Sequence, residues 1–450
     1  MTLVPPTPKR QRRSPASAAA LWLGLYLLAV TVPLFALLPA PASAGAGFAW
    51  DFAMALGYAG IAMLGVQFAL TARFKRATSP FGIDIVYYFH RYLAIAAVLL
   101  VTAHVALLQL MAPMTLDPRV APAHLTAGRI GFVLFVLLVL SSVLRHRLRL
   151  PYEAWRIAHA LLATTGFALA LWHLVGAGRY LDETWKRALW LAYGLFWLAL
   201  IAHVRVLRPA RLAARPWRVR AVRAERGRVT TLVLDPPAGQ RIDFAPGQFA
   251  WLSLARTPWT MQEHPFSIAS SAAQHDEIEL SIKALGDFSS AVQQVRPGTI
   301  AWVDAPYGTF GIDALPEAPG YVFVAGGVGI APIMSMLRSL ADRGDRRPLV
   351  LFYGNSAWDR IAFREELDTL TGRLPLRVVH VLQEPLADWP GEVGLVTQAV
   401  LDRHLPPAPL RQRLHYLLCG PTPMTLSVER SLAALRVPAA QVHSELFDWV

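Results

Sequence analysis

Cysteine is nearly absent: Cys419 is the only one among 450 residues. A single thiol excludes an intramolecular disulfide framework and any cysteine-rich metal site. It stands in the half of the chain that reads as soluble, which fits a reducing compartment. Charge is scarce as well. Only 16% of residues are charged while 54% are hydrophobic, and the mean hydropathy is +0.38. That excludes an ordinary soluble protein and points to a membrane class. Acidic residues are fewer than basic ones, 30 against 43, which leaves a formal net charge of +13. A balance of this sign suggests nucleic acid, but the basic residues gather at the ends of apolar runs, as the positive-inside rule requires. No nucleic-acid partner is expected. Low-complexity segments are also missing.

The apolar excess ends near residue 207, and the rest of the chain reads like a soluble α/β protein. Six apolar segments are long enough to span a bilayer: about 20–38, 50–72, 88–111, 127–144, 155–176 and 187–206. Lys9, Arg10, Arg12 and Arg13 precede the first. Arg73, Lys75 and Arg76 follow the second, Arg145, Arg147 and Arg149 the fourth, and Arg205, Arg208, Arg211 and Arg215 the sixth. Both termini are therefore expected on the cytoplasmic side of the inner (plasma) membrane. Lys186 and Arg187, at the start of the sixth span, are an exception to the charge bias. The first span has a second reading. A basic start, an apolar run and Ala42-Ser43-Ala44 resemble a cleaved signal peptide, but the run is long for one, so a retained helix is favoured.

Histidines carry the most specific pattern. His90 and His104 are fourteen positions apart in the third span, and His159 and His173 repeat that spacing in the fifth. Fourteen residues rise about 21 Å and turn close to four times, so each pair lies on one helix face. Both spans run from inside to outside. His90 and His159 then form an inner couple, His104 and His173 an outer couple. Two His/His couples at two depths match the axial ligation of two stacked haems. The plainer alternative is four histidines satisfied by carbonyls between helices, and the duplication argues against it. Trp172, beside His173, reads as a ring on the outer haem or as an interface anchor. His203 has no paired partner and reads as structural or interfacial.

A basic, Pro-punctuated linker is expected over 207–217. Alternating strands come next at Arg218–Ala224, Thr230–Asp235, Gln248–Leu254 and Glu277–Ala284, a spacing that suggests a small antiparallel barrel to about residue 312. From Tyr321 the pattern becomes strand then helix: Tyr321–Ala325 with Pro332–Ala341, Leu349–Gly354 with Ala362–Leu370, then Arg377–Val381, and Tyr416–Cys419 with Thr425–Leu435. Alternation of this kind implies a doubly wound parallel sheet.

Two motif groups carry chemistry. Gly326-Gly327-Val328-Gly329-Ile330-Ala331-Pro332 leaves a strand and opens a helix, where backbone N–H groups and the helix dipole favour a pyrophosphate. It is not the G-x-G-x-x-G fingerprint, and a tight turn alone would also need glycine. In the barrel, His264-Pro265-Phe266-Ser267 and Lys283 through Gly286-Asp287-Phe288-Ser289 offer an aromatic face and a hydroxyl to a flavin ring. They also offer His264, Lys283 and Ser289 to its pyrophosphate. Taken singly, each of these is also ordinary sheet sequence.

The order of these features resembles the ferric reductase and NADPH oxidase superfamily: His-bearing spans, His-Pro-Phe-Ser, Gly-Gly-Val-Gly-Ile-Ala-Pro, then Cys419-Gly420-Pro421. The dehydrogenase half is similar to ferredoxin–NADP reductase. The resemblance implies a multi-domain membrane protein with a basic tail (1–19) and a six-helix transmembrane bundle (20–207). An antiparallel flavin-binding β-barrel (208–312) and a doubly wound α/β nucleotide-binding domain (313–450) complete it. It implies two b-type haems on His90, His104, His159 and His173. FAD would lie on His264–Ser267 and Lys283–Ser289, and NADPH or NADH on Gly326, Gly327, Gly329 and Pro332 and beside Cys419, Gly420 and Pro421. Ser267, Cys419 and Phe447 are the residues expected at the reacting rings. Phe447 would cover the flavin, with Trp449 as a rival. The activity implied is electron transfer from NAD(P)H across the bilayer to an outer-face acceptor, a ferric chelate or oxygen. The alternative is an electron-supply subunit for a periplasmic partner protein.

The chain departs from the family pattern in two places. Tyr353-Gly354-Asn355-Ser356 lacks the basic residue that holds a 2′-phosphate in NADPH-preferring relatives, unless Arg360 folds back. Leu108 replaces the second outer histidine of superoxide-forming oxidases, and the outer end of the second span carries Trp50 and Asp51 rather than Arg. Arg119, Arg129 and Arg179 are too few to show that the outer side attracts anionic chelates.

Overall fold

The computed structural model describes residues 15–38, 47–75, 83–111, 122–260 and 262–446. Lys9 to Arg13, Ala42-Ser43-Ala44, Arg76, Arg119, Phe447 and Trp449 lie outside the described residues. The chain divides into two compact units, Met1–Pro209 and Ala210–Val450.

The first unit holds helices α1 (Pro15–Phe35), α2 (Phe48–Thr71), α3 (Ile83–Met111), α4 (Ala123–Val143), α5 (Tyr152–Ala177) and α6 (Thr184–Ala202). The last five are long and apolar enough to cross a membrane, while α1 carries a shorter apolar stretch, Ala19–Phe35. Helix α2 packs chiefly on α3, and α4 chiefly on α5. The two hairpins are built alike. Ala53, Gly57 and Gly60 on α2 have the same spacing as His124, Gly128 and Gly131 on α4, and the glycines of both helices let a neighbour approach. Tyr58, Phe167, Trp190 and Trp197 fill the space between helices. Two phenols in this unit bond to main-chain carbonyls, as hydrocarbon favours: Tyr58 donates to the Arg179 carbonyl at 2.6 Å, and Tyr193 to the Ala62 carbonyl at 2.7 Å.

The segment expected as a basic, Pro-punctuated linker is helical over most of its length. A π-helical turn, His203–Leu207, runs into α7 (Arg208–Ala213). Pro209 does not end the helix, which is continuous over Thr184–Ala213; it follows directly on the π-helical turn, the kind of local irregularity with which a helix absorbs a missing backbone N–H.

The second unit opens with β1 (Trp217–Glu225), β2 (Val229–Asp235), β3 (Phe249–Ser253), β4 (His264–Ser267), β5 (Ile278–Lys283) and β6 (Ile300–Tyr307), with α8 (Asp287–Ala291) between the last two strands. They form one antiparallel sheet in the order β4-β3-β6-β1-β2-β5. Ile268, just past β4, bridges Leu280 of β5, so the two edges meet. Leu232, Leu234, Leu252, Ile278 and Ile282 fill the interior. Strand β6 was not expected, because its alternation breaks after Val303 and Pro306 interrupts it.

The remainder comprises β7 (Tyr321–Gly326), α9 (Ile330–Asp342), β8 (Leu349–Ala357), α10 (Arg364–Arg373), β9 (Leu376–Glu384), β10 (Glu392–Val393), α11 (Gln398–His404), α12 (Ala408–Arg411), β11 (His415–Gly420), α13 (Thr422–Ala434) and β12 (Val442–Leu446). The sheet is parallel throughout, in the order β10-β9-β8-β7-β11-β12. Ile333, Leu337 and Leu367 cover one face, and Leu401, Val428 and Leu432 the other. The order reverses between β7 and β11, which creates a crevice at their carboxyl ends.

The two sheets are tied together by Arg338 of α9. Its guanidinium binds both oxygens of Glu366, at 2.6 and 2.7 Å, Glu279 of β5 at 2.7 Å and the Ala269 carbonyl at 2.8 Å. Burial works against its charge, but the two carboxylates more than offset this and raise its pKa.

Candidate functional site

The structure brings the inner histidines together. The rings of His90 on α3 and His159 on α5 have centroids 6.3 Å apart. A metal held by both rings, at about 2 Å per nitrogen and with each nitrogen about 1 Å from its ring centre, requires about 6 Å. The hydrogen bonds agree with that spacing. His90 Nδ1 meets Gln67 Oε1 at 3.0 Å, and His159 Nδ1 meets Ser142 Oγ at 3.2 Å. In the outer couple, His104 Nδ1 donates to the Ala53 carbonyl at 2.8 Å and His173 Nδ1 to the His124 carbonyl at 3.1 Å. Carbonyl oxygens only accept, so these Nδ1 atoms carry the proton and Nε2 keeps its lone pair. Among the described residues each of the four rings is bonded through Nδ1 and none through Nε2. That is how ligating histidines are oriented.

Glycine makes room for the outer rings. A Cβ on Gly57 would lie 2.9 Å from His104 Nδ1, and one on Gly128 would lie 2.6 Å from His173 Cγ. These supporting residues escape a reading focused on the histidines. Two signals point to them: a glutamine within an apolar span, and the repeated glycine spacing of α2 and α4. Trp172 is 54% exposed, which fits an anchor on the outside of α5. His203 lies in the π-helical turn.

In the second unit, β4 and α8 bring two sequence-distant motifs together. The His264 ring stacks on Phe288, centroids 4.0 Å apart, and Phe288 lies nearly parallel to Phe266 at 6.0 Å. Pro265 lies between the two ring-bearing residues of β4, and Ser267 is buried at its end. Ser289 is committed to the turn before α8. Its Oγ accepts from the Leu285 and Gly286 N–H groups, both at 2.9 Å, and donates to the Gly286 carbonyl. Asp287 opens that helix.

Gly326, Gly327 and Gly329 lie at the carboxyl end of β7, where Gly327 has φ of +53°. A Cβ on Gly329 would stand 2.1 Å from the Cys419 carbonyl oxygen, so only glycine lets β7 and β11 close at this level. Gly420 and Pro421 complete the other side of the crevice, and Pro332 is buried in the first turn of α9. The Cys419 thiol is fully buried. Burial, then Glu445, pushes its pKa up, so it stays protonated and packs rather than reacts as a thiolate. Lys283 reaches across from β5, with its Nζ 3.5 Å from where a Cβ on Gly327 would stand. Burial, followed by Arg360 and Arg228, lowers its pKa. A lysine beside a glycine loop, with two arginines near enough to act on its charge, suits an anion. Arg360 does fold back, placing a guanidinium nitrogen 3.4 Å from Ser356 Oγ.

Three family models match in chain order. "Ferric reductase like transmembrane component" covers residues 56–171, "FAD-binding domain" 218–300 and "Oxidoreductase NAD-binding domain" 323–430. The chain is a fusion of the ferric reductase/NADPH oxidase type. The dehydrogenase half of this fusion is similar to the reductase component of propane 2-monooxygenase from Mycolicibacterium smegmatis, at 31% identity over 51% of this chain and 66% of that one. It is also similar to NADH-cytochrome b5 reductase 1 from Debaryomyces hansenii, at 32% identity over 38% of this chain and 61% of the relative. The chain thus spans less than two thirds of the length of either relative. Among solved structures it is similar to the FAD/NAD-binding domain of a nitric oxide dioxygenase from Vibrio cholerae O1 biovar El Tor. That match has 24% identity, covers 52% of this chain and 98% of that one, and has a TM-score of 0.46. The chain thus joins a ferric reductase-like transmembrane component to FAD-binding and NAD-binding domains.

Proposed function

We propose that this membrane oxidoreductase carries electrons from cytoplasmic NAD(P)H through FAD and two b-type haems to an acceptor on the outer face. The acceptor class is ferric chelates or oxygen. The observation that carries this reading is the set of four membrane histidines. All are bonded through Nδ1, and they occur in one chain with a flavin lobe and a nicotinamide lobe.

FAD supplies the conversion between a two-electron hydride and single electrons, and haem iron accepts electrons one at a time. The chain's own part is binding and orientation. His90 and His159 would hold the inner haem, His104 and His173 the outer one. The aromatic faces of His264, Phe266 and Phe288 would support the flavin, with Ser267 at its reacting edge. Gly326, Gly327, Gly329, Gly420 and Pro421 would let the nucleotide backbone approach, and Lys283 and Arg228 would balance its phosphates. Arg360 beside Ser356 supplies the basic group that a 2′-phosphate needs, which favours NADPH. Phe447 would cover the flavin. The fold reading is a six-helix transmembrane bundle, with both termini cytoplasmic at the inner membrane, followed by a closed flavin barrel and a doubly wound nucleotide domain.

A second reading, an electron-supply subunit for a periplasmic protein, is favoured by the relative named as the reductase component of a monooxygenase. NAD(P)H oxidation by purified protein separates the two. Turnover with ferric citrate or oxygen alone supports a terminal reductase. Reduced haem that persists with both acceptors present supports the subunit reading.

A further inference from the structure

The two histidine couples are held by different chemistry. The outer rings donate to main-chain carbonyls of Ala53 and His124, acceptors that substituting those two residues' side chains leaves in place. The inner rings donate to two side chains, Gln67 and Ser142. Gln67 is only 5% exposed on a helix that is apolar between its end turns, where an unpaired amide costs several kcal/mol. Its Nε2 donates to the Met63 carbonyl at 3.1 Å. That carbonyl can only accept, so the NH2 must face it and the oxygen must face His90. Ser142 is fixed in the same way. Its hydroxyl donates to the Leu138 carbonyl at 2.7 Å, which leaves a lone pair for His159 Nδ1–H. Both inner rings are thereby set in the Nδ1–H tautomer.

We infer that Gln67 and Ser142 are positioning residues that set the reduction potential of the inner haem separately from the outer one. The inference rests on the two-haem reading above. An acceptor on Nδ1–H makes the imidazole a more basic ligand, and a more basic ligand favours ferric over ferrous iron. Removing the acceptor therefore raises the potential of that haem alone.

The test is anaerobic redox titration of the full-length protein, wild type against Gln67→Met and Ser142→Ala, with Ser142→Thr as the conservative control. The inner step is identified as the one that survives His104→Leu. The expected result is two haems per chain in every variant except His104→Leu. The inner midpoint should rise by about a tenfold change in the ferric/ferrous ratio, about 59 mV for one electron. The outer midpoint should stay in place, and Ser142→Thr should restore the wild-type value. The low-spin ferric spectrum of the inner haem supplies a second readout for any variant with partial haem loss, and a change there with the outer signal unmoved supports the inference. Two haems with neither midpoint moved, or both moved equally, would overturn it while leaving the two-haem reading intact. Wild-type protein with fewer than two haems would overturn both.

Discussion

Helix propensity and packing oppose each other at Gly57 and Gly128. On propensity alone, Gly→Ala inside a helix gains about 1 kcal/mol. The structure argues the reverse sign. Carbon atoms rest at about 3.5–4.0 Å, and the new Cβ at position 128 would stand 2.6 Å from His173 Cγ. The ring must retreat by about 1 Å, which stretches its 3.1 Å bond to the His124 carbonyl beyond hydrogen-bonding range. Overpacking of this kind costs about 1–3 kcal/mol and the lost bond about 1 more. Net of propensity, outer-haem retention should fall by roughly 5- to 150-fold. Gly57→Ala should be milder, since its contact is 2.9 Å. Gly24→Ala on α1 is the control, because nothing lies within 4 Å of its Cβ position. Haem content per chain and the rate of haem transfer to an apo-acceptor protein measure the effect. Full outer-haem retention in Gly128→Ala, or equal loss of both haems, would refute the reasoning.

The soluble unit yields further expected outcomes. Arg338→Met removes the partner that Glu279 and Glu366 share, although Glu279 keeps Arg223, and should cost about 1–2 kcal/mol, seen as faster amide exchange in β5 and α10. Arg338→Lys should recover little, because it lacks the planar fork. Lys283→Ala should raise the KM for NAD(P)H by about tenfold with FAD content unchanged, whereas loss of FAD instead would place this lysine on the flavin. His415 and His443 stack with Nδ1 and Nε2 3.1 Å apart, and burial lowers both pKa values. Their folded pKa values lie below about 6.5, so the unfolded chain binds more protons. Their contribution to stability is complete above about pH 6.5 and is lost as pH falls below it. His443→Asn should flatten the stability profile in that window.

Much of the architecture was legible in sequence because it reflects periodicity. The apolar runs placed α2 to α6 within a few residues, and alternation followed by strand–helix spacing placed β1, β2, β7, β8 and α9. Short or Pro-containing elements were harder. Strand β6 breaks its own alternation, the two residues of β10 carry no period, and Pro209 disguised α7 as a linker. At the site, residue type and spacing singled out His90, His104, His159 and His173, but not what supports them. Gln67 and Ser142 act through a single hydrogen bond each, and Ala53 and His124 act through main-chain carbonyls, which no side-chain pattern encodes. The stacking of His264 on Phe288 likewise joins segments twenty-odd residues apart, brought together where the two edges of the sheet meet.

The central claim is that one chain joins a nicotinamide site to two haems in series. Anaerobic mixing of the purified full-length protein with NAD(P)H, with haem absorbance as the readout, tests it most directly. Two haems per chain, both reduced in wild type, with only the inner one present and reduced in His104→Leu or His173→Leu, is the expected result. Two haems that survive those substitutions, or haem that NAD(P)H fails to reduce in FAD-saturated protein, would contradict it.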